Sequence, residues 1–230
     1  MSARLRLADG RALDVAIRRS ARARRIQIKI APVGGAVELV LPPGAEREEG
    51  LAFLEAKREW VAARTARARP RVPFADGAAL PFLGGTLTVR CADAGRPAAW
   101  REGDTLRVSG RPEDLPGRVE SWLRGAARAE IAPRVRDKAV RLGARPGRIA
   151  VRDTTSRWGS CSAAGNLSFC WRIAMAPVPV LDYVVAHEVA HLAEPNHGAR
   201  FWAHVGRLCD DPQSARAWLR HNGAVLHRYG

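Results

Sequence analysis

Five consecutive residues, His187-Glu188-Val189-Ala190-His191, followed by His197, restrict this chain more than any other feature. Two histidines four apart share one face of an α-helix, so a helix here points both imidazoles at one place. The helix must then stop. His197 can reach the same place only if the chain turns back, and Pro195 disfavours helical geometry at Glu194. Three imidazole nitrogens leave a fourth tetrahedral position for water, which is the pattern of catalytic zinc. Glu188 stands beside the first candidate ligand, where it can take a proton from that water. Solvated histidines on an ordinary amphipathic helix would have a polar setting. Here Val184, Val185, Val189, Ala190 and Leu192 surround the motif with apolar residues, as a helix that holds ligands rigidly requires.

The rest of the chain supplies strands and helices in alternation. Residues 24–30 alternate apolar and polar, Gly34-Gly35 marks a turn, and 36–41 form a second strand that stops at Pro42-Pro43-Gly44, so a hairpin is expected. Residues 45–69 predict one helix, acidic at its start, basic at its end and stopped by Pro70. Short strands return between 71 and 110, clearest at 87–91 and 105–109. A long helical stretch over 116–142 contains Pro133, which predicts a kink or a break. Strands are expected at 148–152, 157–162 and 167–173. The motif helix should run from Pro177 and Pro179 to about Ala193, with further helices at 199–208 and 214–226. The fold class is α+β. The expected division is a strand-rich region with one helix over 1–112 and the catalytic unit over 113–230, with no internal repeat.

Composition bounds the setting. The formal charge is +15, almost all from arginine, since the only lysines are Lys29, Lys57 and Lys138. Such a field attracts polyanions, so a nucleic acid or nucleotide is a candidate partner, although arginines scattered over solvated faces would give the same total. The four cysteines have no C-x-x-C spacing, which argues against a structural zinc knuckle and for reduced thiols. No apolar run approaches the roughly 18 residues of a membrane span. Residues 1–13 lack the apolar core of a signal peptide, so a cytoplasmic location and no membrane partner are expected.

Three segments taken together resemble the YgjP-like metallopeptidase-domain family, part of the zincin group that includes the SprT-like proteins. They are Arg157-Trp158-Gly159-Ser160-Cys161-Ser162, Asp182 to Leu192, and Asn196-His197 with Phe201-Trp202. The basic strand around Arg24-Arg25, Pro42, the segment Lys57 to Val61 and Leu83-Gly84-Gly85 extend the likeness over most of the chain. The resemblance implies a zincin-like catalytic domain, one Zn2+ ion held by His187, His191 and His197, Glu188 as the catalytic glutamate, and a peptide or protein substrate. The histidine spacing is also similar to that of metzincins. Those place a glycine where this chain has Glu194, and no clear methionine turn follows here.

Among the remaining candidates, Trp158, Gly159 and Ser160 suit a strand that holds an extended substrate by main-chain hydrogen bonds. Gly159 would permit close backbone approach and Ser160 could donate, while Trp158 also reads as core. Arg157 suits either an oxyanion or solvent. Cys161 reads as a small buried residue, His204 as a helix-surface residue, and His221 and His227 as surface residues. Phe201 and Trp202 read as core packing. One other function keeps the metal and changes the substrate, namely nucleotide phosphoanhydride hydrolysis; another, non-enzymatic at heart, is a nucleic-acid-associated module that brings protease chemistry to DNA-bound protein. Against the first, no phosphate-cradling P-loop glycine pattern is present.

Overall fold

The structure, a computed structural model, describes residues 2–93 and 97–230. The chain is α+β and its contacts group into two compact units, Met1–Arg71 and Val72–Gly230.

The first unit is a four-stranded sheet with two helices. Strands β1 (Ser2–Arg6), β2 (Ala12–Arg19), β3 (Gln27–Ile30) and β4 (Val37–Leu41) lie in the order β1-β2-β4-β3. The expected β3–β4 hairpin is present, with Gly34 and Gly35 at positive φ in its turn. Val15 and Ile17 of β2 and Val37, Leu39 and Leu41 of β4 face one core. The single helix expected over 45–69 is two, α1 (Arg47–Ala56) and α2 (Arg58–Ala66), because Lys57 departs from helical geometry at φ −104° and ψ 14°. α1 packs on β4 and α2 on β3, so the break lets both Leu54 and Val61 reach the core over a twisted sheet. α1 can lie close because of Gly50, where a Cβ would come within 2.4 Å of the Leu41 side chain.

The second unit begins with another four-stranded sheet, β5 (Ala79–Phe82), β6 (Gly85–Ala92), β7 (Ala99–Glu102) and β8 (Thr105–Ser109), in the order β5-β6-β8-β7. Both four-stranded sheets pair their inner strands parallel and their outer strands antiparallel. A division at 112/113 was expected, whereas the compact units meet near residue 71. The physical reason is a shared core: Leu80, Leu87, Val89, Leu106 and Val108 of this sheet join the same buried cluster as the helices that follow.

Helix α3 (Leu115–Leu142) is continuous through Pro133, so of the expected kink or break the break is absent. Val119, Leu123, Ala127, Ile131, Val135 and Ala139 form a stripe at four-residue spacing that continues across the proline, each at most 2% exposed. At roughly 1.5–3 kcal/mol for each large buried side chain, that stripe outweighs a proline's cost of about 3 kcal/mol. Arg134 also folds back to donate to the Glu130 carbonyl at 2.8 Å.

A three-stranded sheet follows, β9 (Ile149–Arg152), β10 (Gly159–Cys161) and β11 (Leu167–Cys170), in the order β10-β11-β9, so β10 is an edge strand. Helices α4 (Val178–Ala190), α5 (Ala199–Leu208) and α6 (Pro212–Leu226) complete the unit, and α4 packs against α3, β10, α5 and α6. Buried Lys138 of α3 donates to Asp182 of α4 at 2.8 Å and to the Leu208 carbonyl at the end of α5 at 2.5 Å. This contact ties three helices at one point and sets where α4 lies. Among the described residues no helix is long and apolar enough to cross a membrane.

Candidate metal centre

α4 starts at Pro177-Val178-Pro179, where the prolines remove donors the first turn leaves unbonded. Val180, Leu181, Val184, Val185 and Val189 are buried along it. His187 and Glu188 lie in its last turn and His191 at its C-cap, with φ −65° and ψ −16°. The chain then turns through Pro195 and returns His197 just before α5. One ring nitrogen from each of His187, His191 and His197 lies within 4.8 Å of the others.

The details of this cluster fit a cation. His191 Nδ1 is 3.1 Å from the Glu194 carbonyl oxygen. A carbonyl only accepts, so Nδ1 carries the proton and Nε2 keeps its lone pair. The Nε2 atoms of His187 and His197 face each other at 3.1 Å. Two nitrogens on one tetrahedral ion at roughly 2.0–2.1 Å would lie roughly 3.3 Å apart. Phe201, fully buried, sits under all three rings with centroid separations of 4.9, 4.5 and 4.6 Å, and Trp202 lies 6.0 Å from those of His187 and His197. Phe201 and Trp202 are therefore packing that also orients the imidazoles. Phe201 lies in the first turn of α5, which starts two residues after His197, and this closeness in sequence was the available signal.

The family described as YgjP-like, metallopeptidase domain, matches residues 24–222. The chain belongs to this family. Among solved structures, it is similar to the metallopeptidase zymogen abylysin of Pyrococcus abyssi, at 20% identity and a TM-score of 0.37, over 43% of this chain and 97% of that one. No curated protein sequence matches it.

In this YgjP-like metallopeptidase domain Glu188 is only 6% exposed. Burial pushes its carboxyl up to about 7, and the positive charge of Arg157 pulls the other way. Burial pushes His187 down to about 4, helped by repulsion from His191, His197 and Arg216. Both shifts favour the uncharged form, and for His187 that is the form that binds a metal.

The expected substrate residues divide. Gly159 and Ser160 line a cleft of about 860 Å³ together with His187, Glu188, His191 and His197. A Cβ on Gly159 would lie 2.5 Å from Glu188 Cγ and 2.6 Å from its Oε1, so the space Gly159 leaves is filled by the glutamate. Trp158 is outside this cleft. It stacks on His227 at 4.8 Å between centroids and packs against Gly223 of α6. His227 is thus partly buried and not a surface residue, because the C-terminal chain folds back over Trp158. Cys161 is half-buried on the cleft, where burial and Glu188 raise its pKa. His204 and His221 lie outside the metal cluster, His204 half-buried and His221 exposed.

Proposed function

We propose that this chain is a zinc-dependent metallopeptidase, with His187, His191 and His197 holding one Zn2+ ion and Glu188 as general base. The observation that carries this reading is the meeting of three imidazole nitrogens within 4.8 Å beside a buried carboxyl. An all-imidazole donor set suits zinc. Zinc held there supplies Lewis acidity, which acidifies water to a pKa of roughly 7 and polarises a carbonyl.

The chain's own residues do the rest. Edge strand β10 offers main-chain groups to an extended peptide. Glu188, held against Gly159, accepts the proton of the attacking water on its carboxylate and returns it to the leaving amine. A carboxyl near pKa 7 is suited to both transfers. Phe201 and the Glu194 carbonyl keep the imidazoles aimed, so little reorganisation is needed.

The test is to offer the zinc-loaded protein peptide and nucleotide libraries in parallel, with Glu188→Gln as the blank. Peptide cleavage is expected from the wild type. The variant is expected to retain one zinc per chain and lose turnover. Full activity in Glu188→Gln, or phosphate release from nucleotides without peptide cleavage, sinks the reading.

A further inference from the structure

A second cavity, of about 380 Å³, opens beside the metal centre and shares His187 and Glu188 with it. Three elements build it. α4 contributes Tyr183 and Val184 on the same face as His187 and Glu188, the approach to β10 contributes Arg157 and Trp158, and α6 contributes Arg216, Leu219 and Arg220. The spacing of 216, 219 and 220 places all three on one face of α6. Trp158, Val184 and Leu219 give the cavity an apolar body, and three arginines stand around it.

Those arginines differ from the ion-paired arginines of α3. Arg124 pairs with Glu120 and Arg134 with Glu130, each at 2.6 Å. Arg157, Arg216 and Arg220 are exposed, and among the described residues none has a carboxylate within ion-pair distance. α6 itself contains no acidic residue. Arg216 nevertheless has a defined place. Its guanidinium lies 5.2 Å from the Trp202 ring centroid, and Trp202 in turn borders His187 and His197. Gathering three like charges around one cavity opposes folding, and an anion in that cavity would relieve it.

We propose that this cavity is a specificity pocket that takes an acidic side chain of the peptide, close to the scissile bond, with Arg216 and Arg220 binding the carboxylate and Arg157 at the rim. The proposal rests on the peptidase reading above. A guanidinium matches a carboxylate with two parallel hydrogen bonds, and the apolar walls suit the methylene stem of glutamate or aspartate. The volume is near the lower end of ligand pockets, which suits one side chain better than a polymer track. Sharing His187 and Glu188 with the metal centre keeps the bound residue near the bond that is cut.

The test uses zinc-loaded full-length protein and peptide pairs that differ only by Glu or Gln, placed in turn at the three positions on each side of the cleaved bond. At one position, kcat/KM is expected to favour Glu by about tenfold, since each hydrogen bond to a charged group is strong. That ratio should fall to about one in Arg216→Gln/Arg220→Gln. In Arg220→Glu the ratio should fall below one, so that Gln is preferred. Anisotropy measurements of the same pairs binding to Glu188→Gln give the ratio without turnover. A ratio of one at every position while Gln peptides are still cleaved overturns the pocket and leaves the peptidase. Peptides neither bound nor cleaved overturn both. A ratio that survives the double variant removes Arg216 and Arg220. Low-salt binding of single-stranded DNA that the double variant loses, without any Glu–Gln discrimination, replaces the acidic side chain with nucleic acid.

Discussion

The two walls of the cleft are assembled differently. On the α4 side, His187, Glu188, His191 and His197 all come from one short segment, and helix spacing plus one turn at Pro195 bring them together. On the β10 side, Gly159 lines the cleft, while Trp158 and Arg216 of the adjoining cavity and His227 behind Trp158 come from segments separated by tens of residues, and packing alone brings them together. The first wall is specified locally and carries the proposed metal chemistry. The second depends on the tertiary structure and, through Gly159, sets where the Glu188 side chain lies. Substitutions on the two walls should therefore fail in different ways.

The largest effect is expected on the α4 side. In His191→Ala two imidazoles remain, and the Nε2 whose direction the Glu194 carbonyl sets is gone. Metal affinity should fall by more than about 100-fold, beyond the usual loss for a partner of a ligand, and turnover should vanish. Zinc content after dialysis against a buffered zinc solution checks this. A variant that keeps a full zinc equivalent would remove His191 from the ligand set.

Gly159→Ala breaks the other wall and leaves the ligands alone. The added Cβ would lie 2.5 Å from Glu188 Cγ, so the carboxyl must move. A shift near 1 Å at a reacting group costs up to about 100-fold in rate. The expected variant holds zinc normally and is slower by one to two powers of ten in kcat. Wild-type turnover would show that Glu188 tolerates displacement and is not the base.

This contrast also explains what could be read before the structure. The meeting of the three histidines and the extent of α5 at Ala199–Leu208 follow from spacing and caps, which act within a few residues, whereas α4 ends at Ala190, three residues short of the Ala193 expected from Pro195. The break at Lys57, the unbroken helix through Pro133 and the core shared by β5–β8 with α3 were not legible. Each results from buried residues meeting partners far away in sequence, and local propensity gives way to them. The same holds at the site. Nothing local links Gly159 to Glu188, sets Arg216 beside Trp202, or buries His227 against Trp158. The repeated strand order of the two four-stranded sheets was hidden for a related reason, since pairing direction leaves little trace in alternation.

The smallest effect concerns His227, which helps hold the β10 wall in place. Its ring is partly buried against Trp158, and its Nδ1 is buried without a hydrogen-bond partner. Burial lowers its pKa from 6.5, Arg172 lowers it further, and Asp153 opposes both. A histidine with a depressed folded pKa binds its proton more tightly when unfolded. Its contribution to stability is therefore complete above about pH 6.5 and is lost as the pH falls through the folded value. His227→Phe keeps an aromatic ring on Trp158 and removes the titration. At pH 7.5 the variant should melt at or slightly above the wild-type temperature, because no hydrogen bond from Nδ1 is given up. Between pH 7 and 5 the wild type should lose a few degrees more than the variant, and carboxylates common to both cancel in the difference. Parallel melting curves across that range would mean that protonated His227 is accommodated against Trp158.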